Sequence, residues 1–287
     1  MAETIGWIGV GSMGHRMSRH LVAAGHALVV ADAVSTEKAP PQARVAGSNA
    51  EVAALADLII LSLPDGSVSE LVARELAAAS PRRVKTVIDT STIGIEAAEA
   101  VDALLTRAGI QFIDAPVSGG TSGADKATLA IMLACPSESY ARLKPLLALM
   151  GKPFHVGPKP GQGQAVKLLN NFLSATALAA TCEAIAFGTA QGIEMKTILD
   201  IVNASSGRNS ATDDKFPRRI MLGKYDAGFA AKLQLKDVRL YLDNARAAGI
   251  ANEVASSVVD VWDRMNAELP GADITQMYPY TVSGRRA

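Results

Sequence analysis

The segment GQGQAVKLLNN, residues 161–171, places a lysine and an asparagine near the predicted start of a long apolar helix. Lys167 and Asn171 are four positions apart, so they project from the same face of that helix. A lysine near a helix N-terminus opposes the helix dipole at a cost of about 0.3–1 kcal/mol, and burial raises that cost unless the charge is paired or lost. The flanking Leu168 and Leu169 indicate that this part of the helix is covered. Lys167 therefore either extends its amine to water or has a chemical function.

A buried lysine beside an asparagine suits proton transfer during the oxidation of an alcohol. When a carbon that bears a hydroxyl gives up a hydride, the hydroxyl must lose its proton, and the reverse reaction returns it. A free lysine, with a pKa of about 10.4, is a poor base at neutral pH. Loss of water and the helix dipole both disfavour the charged amine. Both effects therefore lower the pKa of the lysine toward the range useful for acid–base catalysis. We predict that Lys167 is the general acid/base and that Asn171 holds the substrate oxygen.

The N-terminal segment IGWIGVGSMG carries glycines at the spacing G-x-G-x-x-G. It follows one predicted strand and opens a predicted helix, and Asp32 ends the second predicted strand, which is the context that makes this pattern specific. The glycines allow a tight turn, close approach of the backbone to a pyrophosphate and close packing of helix on strand, while the helix N-terminus attracts phosphate. The alternative is a glycine-rich turn with no ligand. The predicted dinucleotide site includes Gly9, Gly11, Ser12, Met13 and Gly14.

Asp32 indicates which dinucleotide binds. A carboxylate at the end of the second strand can accept hydrogen bonds from the ribose hydroxyls of NAD, and it would repel the additional phosphate of NADP. The neighbouring Ala31 and Ala33 provide no arginine that could neutralise that phosphate. We expect NAD to be the cofactor, with NADP less favoured. The alternative is that Asp32 is only a turn residue that closes the strand.

A second anion site is predicted after the strand at residues 110–114, in the segment FIDAPVSGGTSGA. A hydroxyl and unhindered backbone N–H groups follow one another there, and consecutive free amides form a concave anion site. They belong to Ser118, Gly119 and Gly120. In an open α/β sheet, ligands lie beyond the carboxyl ends of the strands. The other predicted strand ends at that edge carry Leu63, Pro64 and Thr92, which we expect to contact the cofactor. For Ser118–Gly120, the residues alone leave an ordinary turn as an equal alternative.

The order of apolar segments predicts an α/β fold in two domains. Up to about residue 160, continuous apolar runs typical of strands covered on both faces alternate with amphipathic helices, which predicts a Rossmann-type, doubly wound, mostly parallel sheet. The predicted strands are TIGWIGV, ALVVAD, DLIILSL, VKTVID, IQFIDA, TLAIML and PFHV. A long helix, apolar almost all the way round and therefore expected to be enclosed by protein on most sides, then leads into further helices without a convincing strand. We expect a dinucleotide-binding domain at 1–162, a helical substrate and oligomerisation domain at 163–287, and a long interdomain helix.

The composition excludes several classes of protein. The 28 Lys and Arg balance the 28 Asp and Glu, so the basic surface of a nucleic-acid-binding protein is not expected. Cys135 and Cys182 lie in apolar runs and are expected to be core thiols in a reducing compartment. The N-terminus lacks the features of a targeting segment, and the apolar stretch around 172–182 is too short to span a bilayer. We therefore expect a cytoplasmic protein with no nucleic-acid, membrane or metal partner.

Four motifs, in this order, resemble those of the β-hydroxyacid dehydrogenases, the group of 3-hydroxyisobutyrate dehydrogenase and tartronate semialdehyde reductase. They are GWIGVGSMG, DAPVSGG, GQGQAVKLLNN and the later LKD, which contains Lys236 and Asp237. The resemblance runs from about residue 4 to about residue 275. It implies a Rossmann-type domain, a long interdomain helix and a helical domain that often builds a homodimer or homotetramer. The implied reaction interconverts a small 3-hydroxy acid and its semialdehyde by hydride transfer.

The resemblance also implies residue roles. It makes Lys167 the acid/base and Asn171 its partner, and it assigns the substrate carboxylate to Ser118, Gly119 and Gly120. It assigns Lys236 and Phe229 to closure over the cofactor. Relatives that use NADP often carry Asn-Arg-Thr where this chain has ADA, residues 31–33, which again favours NAD. Within 205–216, where substrate-selective residues are expected, Arg208 either binds a second anionic group or is solvated.

Two other functions remain as alternatives. Imine reductases share this architecture, but they usually have a different residue at the position of the catalytic lysine. A nucleotide-binding scaffold without turnover is the other alternative, and the presence of both Lys167 and Asn171 argues against it.

Overall fold

The computed structural model describes residues 4–284. The chain divides into two compact units, Met1–Lys167 and Leu168–Ala287. The division falls inside one helix, Gln162–Ala190. It lies close to the domain boundary predicted between residues 162 and 163, which stays a prediction.

The described residues of the first unit form a nine-stranded sheet, with β3, β2, β1, β4, β5, β6, β8 and β7 side by side and β9 paired with β8. All pairs from β3 to β6 are parallel, whereas β8 is antiparallel to β6 and β7 and parallel to β9. The Rossmann-type α/β class predicted from the sequence is confirmed. The strands are β1 Ile5–Ile8, β2 Leu28–Ala31, β3 Arg44–Val45, β4 Leu58–Leu61, β5 Thr86–Asp89, β6 Gln111–Asp114, β7 Val117–Ser118, β8 Leu129–Ala134 and β9 Gly151–Gly157.

Helices cover both faces of this sheet, which is why its central strands β1, β2 and β4 are apolar and buried throughout. Successive side chains of a strand point to opposite faces, so Ile59 and Ile60 of β4 belong to two different core clusters. Trp7 and Met17 lie in the cluster with Ile60. The helices of this unit are α1 Gly14–Ala23, α2 Asn49–Leu55, α3 Gly66–Ala78, α4 Ile95–Arg107, α5 Gly120–Asp125 and α6 Ser137–Leu147.

Four short elements of the first unit were not predicted from the sequence. The strands β3 and β7 have two residues each, which is too short for a period-two pattern. Helices α2 and α5 are short as well. The visible signal for α2 is an N-cap, because the Ser48 side chain accepts a hydrogen bond from Glu51 N.

The second unit is helical, as predicted. Its core surrounds the buried side chains of Cys182, Phe216 and Trp262. Among its described residues, the one β-type pairing is an isolated bridge between Ala230 and Asp273. Its helices are α7 Gln162–Ala190, which begins in the first unit, α8 Met195–Asn203, α9 Phe216–Arg218, α10 Ala231–Ala247, α11 Glu253–Glu268 and α12 Met277–Val282, with a π-helical turn at Ala211–Lys215 and 3₁₀ turns at Ile220–Leu222 and Ile274–Gln276.

Helix α7 corrects two expectations from the sequence. It has 29 residues, and within residues 4–284 it is the one helix that is long and apolar enough to cross a membrane by length and composition. The apolar stretch around residues 172–182 therefore belongs to a helix that is not too short to span a bilayer. Its most apolar window has a mean hydropathy of 1.3, with 39% of that window buried. The expectation that protein encloses this helix on most sides is also wrong, because only 39% of that window is buried, and Leu173 and Phe187 are 60% and 70% exposed.

Candidate active site

The glycine-rich turn connects β1 to α1. Gly9 has a φ of +93°, and an added Cβ would collide with the backbone oxygen of Ser62 at the end of β4. Gly14 is the first residue of α1, and its Cβ would collide with Gly9 O. Gly11 is different, since a Cβ there meets nothing within 4 Å. Two glycines therefore permit close packing of strand and helix, and the third leaves an open backbone surface at the positive end of the helix dipole.

Asp32 directly follows β2 and ties that strand end to the glycine-rich turn. Its Oδ2 accepts a hydrogen bond from Val10 N at 2.7 Å, and its Oδ1 accepts from Val34 N at 2.8 Å and from Ser35 N at 3.1 Å. The carboxylate lines a cleft of about 210 Å³. The other residues that line it are Ala31, Ala33, Ala46, Gly47, Ser48, Asn49 and Glu75. A carboxylate at the wall of an open cleft next to the glycine-rich turn fits the ribose of a dinucleotide.

The residues predicted at the other strand ends lie on the same edge of the sheet. Leu63 and Pro64 follow β4, and Thr92 follows β5. The Ser91 hydroxyl accepts a hydrogen bond from Leu63 N at 2.7 Å and so joins the two strand ends. Because β1, β4, β5 and β6 are parallel, their carboxyl ends and the glycine-rich turn share one edge.

The segment Ser118–Gly120 is more structured than a simple turn. Ser118 ends the short strand β7 and pairs with Ala130 of β8. Gly119 has a φ of +135° and Gly120, the first residue of α5, a φ of +62°. Both glycines are exposed, so positive φ angles are the physical reason for glycine here. The hydroxyl and the two glycines are adjacent, as predicted, and their role in binding a carboxylate stays a prediction.

A buried network holds the start of α7 against the ends of β5 and β6. Asp114 is the last residue of β6, and Gln164 is the third residue of α7. The side-chain amide of Gln164 donates to Asp114 Oδ1 at 2.6 Å, and its backbone N–H donates to Asp114 Oδ2 at 3.1 Å. Burial raises the pKa of Asp114 to about 6, although the hydrogen bonds from Gln164 oppose that shift. Burial also raises the pKa of Asp89.

Lys167 lies in the second turn of α7 and is only 8% exposed, so its side chain is not extended into water. Leu168 is buried as expected, but Leu169 is 43% exposed, which corrects the expectation that both leucines are covered. Since helix dipole effects are confined to the first turn, burial is the main constraint on this amine. Its role as an acid/base stays a prediction.

Asn171 lies one turn later on α7, in the second unit, and is buried. Its Nδ2 donates to Asp237 Oδ2 at 2.6 Å, and its Oδ1 accepts from Asn170 Nδ2 at 3.1 Å. Its backbone oxygen accepts from Gln234 Nε2 at 3.0 Å. Asp237 also lies 3.2 Å from the Lys236 amine, measured from Oδ1 to Nζ. The LKD motif on α10 thus places Lys236 and Asn171 on the same carboxylate.

The other two predicted residues of the second unit have local partners. Phe229 precedes α10, and its N–H donates to Asp273 Oδ2 at 3.1 Å. Arg208 is exposed, and its Nε donates to both oxygens of Asp213, at 2.8 and 3.1 Å. This ion pair favours the solvated alternative for Arg208. Within residues 4–284, no group of three or more His, Cys, Asp or Glu is arranged to hold a metal ion.

Comparison with known proteins places this architecture in one family. A family model described as the NAD binding domain of 6-phosphogluconate dehydrogenase matches residues 4–158, and one described as NAD-binding of NADP-dependent 3-hydroxyisobutyrate dehydrogenase matches residues 161–281. The chain is 33% identical to 2-(hydroxymethyl)glutarate dehydrogenase of Eubacterium barkeri, over 91% of this chain and 95% of that protein.

The chain belongs to the β-hydroxyacid dehydrogenase family. It is also 34% identical to an NAD-dependent L-serine dehydrogenase of Pseudomonas aeruginosa, with 91% of each chain covered. A solved structure of 3-hydroxyisobutyrate dehydrogenase of Mycobacterium tuberculosis with L-serine superimposes with a TM-score of 0.90 at 31% identity, covering 98% of this chain and 99% of that chain. The predicted family, the NAD cofactor and the class of enzyme, an oxidoreductase of hydroxy acids or semialdehydes, are confirmed.

Imine reductases are more distant from this β-hydroxyacid dehydrogenase. The imine reductase of Streptomyces aurantiacus has a TM-score of 0.64 at 18% identity, over 97% of this chain and 99% of that chain, which shows a shared fold only.

Sequence reasoning missed three buried polar residues of the site: Asp114, Gln164 and, as a hydrogen-bond partner of Asn171, Asp237. Each of the three lies inside one of the motifs DAPVSGG, GQGQAVKLLNN and LKD. These motifs are next to apolar segments, where a buried polar residue needs a hydrogen-bond partner, and that pattern could have indicated them.

Proposed function

We propose that this β-hydroxyacid dehydrogenase interconverts a small 3-hydroxy acid and its semialdehyde, with Lys167 as the residue that moves the proton. The observation that carries the proposal is the burial of Lys167 on a helix whose first turn is fixed at the carboxyl edge of the Rossmann sheet. That edge also carries the glycine-rich turn and Asp32. A buried amine on this edge is suited to acid–base chemistry next to a nicotinamide cofactor.

The residues that would hold NAD fit the shape and charge of a dinucleotide. The open backbone at Gly11, with Ser12 and Met13 at the start of α1, would hold the pyrophosphate, and Asp32 at the cleft wall would accept the ribose hydroxyls. Bound NAD supplies the hydride acceptor. The fit favours NAD over NADP because the carboxylate of Asp32 would repel a phosphate at the ribose.

The proposed proton transfer uses the Lys167 amine in both directions. In oxidation, the neutral Nζ accepts the proton of the substrate hydroxyl as the C–H bond gives up its hydride. In reduction, the ammonium returns a proton to the oxygen. Asn171, held by Asp237 and Asn170, would hold that oxygen by hydrogen bonding. Ser118, Gly119 and Gly120 would bind the substrate carboxylate, and Lys236 and Phe229 would close over the cofactor.

The proposed substrate carries a carboxylate and a hydroxyl on the β-carbon. Support comes from the names of the relatives, which denote hydroxymethylglutarate, hydroxyisobutyrate and serine, all of them carboxylic acids with a hydroxyl group. The pairing of Arg208 with Asp213 gives no support for a second anionic group on the substrate.

A panel assay tests this proposal. NADH formation at 340 nm is followed with NAD and 3-hydroxyisobutyrate, L-serine or 2-(hydroxymethyl)glutarate, and NADH consumption with the matching semialdehydes. We expect turnover of at least one pair, and a Ser118→Ala variant with a KM for the acid raised roughly 10-fold, the loss of one hydrogen bond to a charged group. Ser122→Ala, an exposed serine on α5, is the matched control. Absence of turnover across the panel, or an unchanged KM in Ser118→Ala, would contradict the proposal.

We also propose a homodimer or homotetramer in the cytoplasm, without a nucleic-acid or membrane partner. The exposed apolar side chains on helices of the second unit support self-association, and they are Leu173, Phe187, Ile201 and Val254. The zero net charge argues against nucleic acid. Both cysteines are free and buried, and burial raises the pKa of Cys135 to about 11, which suits an unreactive thiol. Light scattering on the purified enzyme would refute self-association if it gave the mass of a monomer.

A further inference from the structure

We infer that Asp114 and Gln164 are positioning residues that fix the first turn of α7, and through it the amine of Lys167, relative to the carboxyl edge of the sheet. The inference rests on the proposed role of Lys167. Neither residue is expected to touch the substrate or the cofactor. Both lie in the first unit, as does Lys167.

Gln164 uses the full hydrogen-bonding capacity of its side chain although it is completely buried. Its Oε1 accepts from Ile93 N at 2.9 Å and from Gly94 N at 3.2 Å. Its Nε2 donates to Ser91 O at 3.1 Å and to Asp114 Oδ1 at 2.6 Å. An amide offers two donors and two acceptor sites, so this side chain connects α7 at four points to the loop after β5 and the end of β6.

Asp114 adds a second connection, to the backbone of the helix. The first N–H groups of a helix have no partner within it, and Asp114 Oδ2 accepts from one of them, Gln164 N, at 3.1 Å. A carboxylate at this end of a helix is also favoured by the helix dipole. The same aspartate therefore binds the side chain and the backbone of one residue, which fixes both the rotation and the axial position of the turn.

Glycine makes this close approach possible. A Cβ on Gly163 would lie 2.5 Å from Met132 O and 2.8 Å from Asp114 Oδ2. The helix thus begins in direct backbone contact with the sheet. Lys167 follows Gln164 by three positions and therefore lies on the same side of the helix, one turn from the connection.

Positioning explains this cluster better than stability alone. A buried carboxylate with polar partners is often no more stabilising than apolar residues of the same volume. A second buried carboxylate, that of Asp89, lies close enough for its charge to raise the pKa of Asp114 further. Asp89 Oδ2 has no hydrogen-bond partner among the described residues. A costly polar cluster next to a proposed catalytic lysine is expected where position matters, because a displacement of about 1 Å can cost about 100-fold in rate.

An exchange of the two functional groups tests the inference. Asp114→Asn replaces one acceptor by a donor that faces a donor of Gln164. Gln164→Glu sets two carboxylates against each other. The double variant restores a complementary pair, because the new amide at position 114 can donate to the new carboxylate at position 164 and still accept from the backbone N–H, while the hydrogen bond to Ser91 O is lost. Gln162→Glu, in the same turn but bonded to Lys159 N, is the matched control.

The measurements are kcat and KM with NAD and the best panel substrate, NADH affinity by fluorescence, and amide hydrogen exchange of a peptide that covers residues 160–172. The kcat is expressed per NADH-binding site, and we expect each single variant to lower it roughly 10–100-fold. The NADH Kd should change less than about two-fold. The double variant should recover to within about five-fold of wild type, and exchange in the first turns of α7 should rise in both single variants and fall again in the double.

Single variants with kcat within about two-fold of the control would overturn the inference. So would a double variant that folds and binds NADH but is no better than the worse single, or unchanged hydrogen exchange in α7. The exchange data do not depend on the role of Lys167. If Lys167→Ala turned over at the wild-type rate while the exchange results held, the proposed function would fail and the placement of the helix would stand.

Discussion

Replacing Gly163 by alanine tests how closely the position of α7 is linked to turnover. The added Cβ would lie 2.5 Å from Met132 O and 2.8 Å from Asp114 Oδ2. Both atoms are fixed, one in the backbone of β8 and the other in a buried carboxylate that is bound to Gln164. To restore ordinary contact, the helix must retreat by roughly 0.5–1 Å.

The expected effects on stability and on rate differ in size. Overpacking costs about 1–3 kcal/mol, and alanine in a helix recovers up to about 1 kcal/mol relative to glycine, so the free energy of unfolding should fall by no more than about 3 kcal/mol. A shift approaching 1 Å at a catalytic group can cost about 100-fold. We therefore expect Gly163→Ala to fold, to bind NADH and to lose roughly 10–100-fold in kcat.

Gly188→Ala is the matched control on the same helix. Its Cβ would also lie 2.5 Å from a neighbour, but that neighbour is the end of the flexible Ile198 side chain, so kcat should stay within about two-fold of wild type. The assay is steady-state NADH absorbance at saturating substrate, with thermal unfolding of each variant alongside. Equal kcat in wild type and Gly163→Ala would refute the link between helix position and turnover.

Three further predictions address the carboxylates. Asp237→Asn removes the charge from the partner of Asn171 and should lower kcat roughly 10-fold, whereas the exposed Asp243→Asn on the same helix should not; equal rates would exclude this role. Wild type should prefer NAD over NADP by at least roughly 10-fold in kcat/KM, and Asp32→Ala should reduce that ratio; a preference for NADP would contradict the role of Asp32. The folded-state pKa of Asp114 is raised from 3.8 to about 6, so the folded state holds a proton that the unfolded state releases, and the contribution of Asp114 to the free energy of unfolding should fall by about 3 kcal/mol between pH 4 and 6 and then level off. Asp114→Asn should flatten that slope in urea titrations; the same slope in both proteins would count against it.

Much of the fold could be predicted because it depends on local patterns. Continuous apolar runs between helical segments indicated a sheet covered on both faces, and β1, β2, β4, β5 and β6 lie where those runs predicted them. The glycine-rich turn was identified from its G-x-G-x-x-G spacing between a predicted strand and a predicted helix, and sterics require glycine at Gly9 and Gly14 but not at Gly11. The direction of β8, antiparallel to β6, could not be predicted, since an apolar run carries no information about strand direction.

The buried network could not be predicted because its partners are far apart in sequence. Asp114 and Gln164 are separated by 50 residues, and no periodicity relates them. For Leu169 the sequence prediction was wrong. This apolar residue near the buried Lys167 was expected to be covered, but it is exposed in the structure. Arg208 was undecided from sequence, and a carboxylate five residues later, Asp213, provides its partner in the structure.

The most direct test of the central claim is the kcat of Lys167→Ala at saturating NAD and substrate, with NADH affinity measured on the same preparation. We predict a loss of roughly 10²–10⁴-fold in kcat, the usual contribution of a positioned acid/base, with NADH binding nearly intact. A variant that binds NADH and turns over at the wild-type rate would contradict the account.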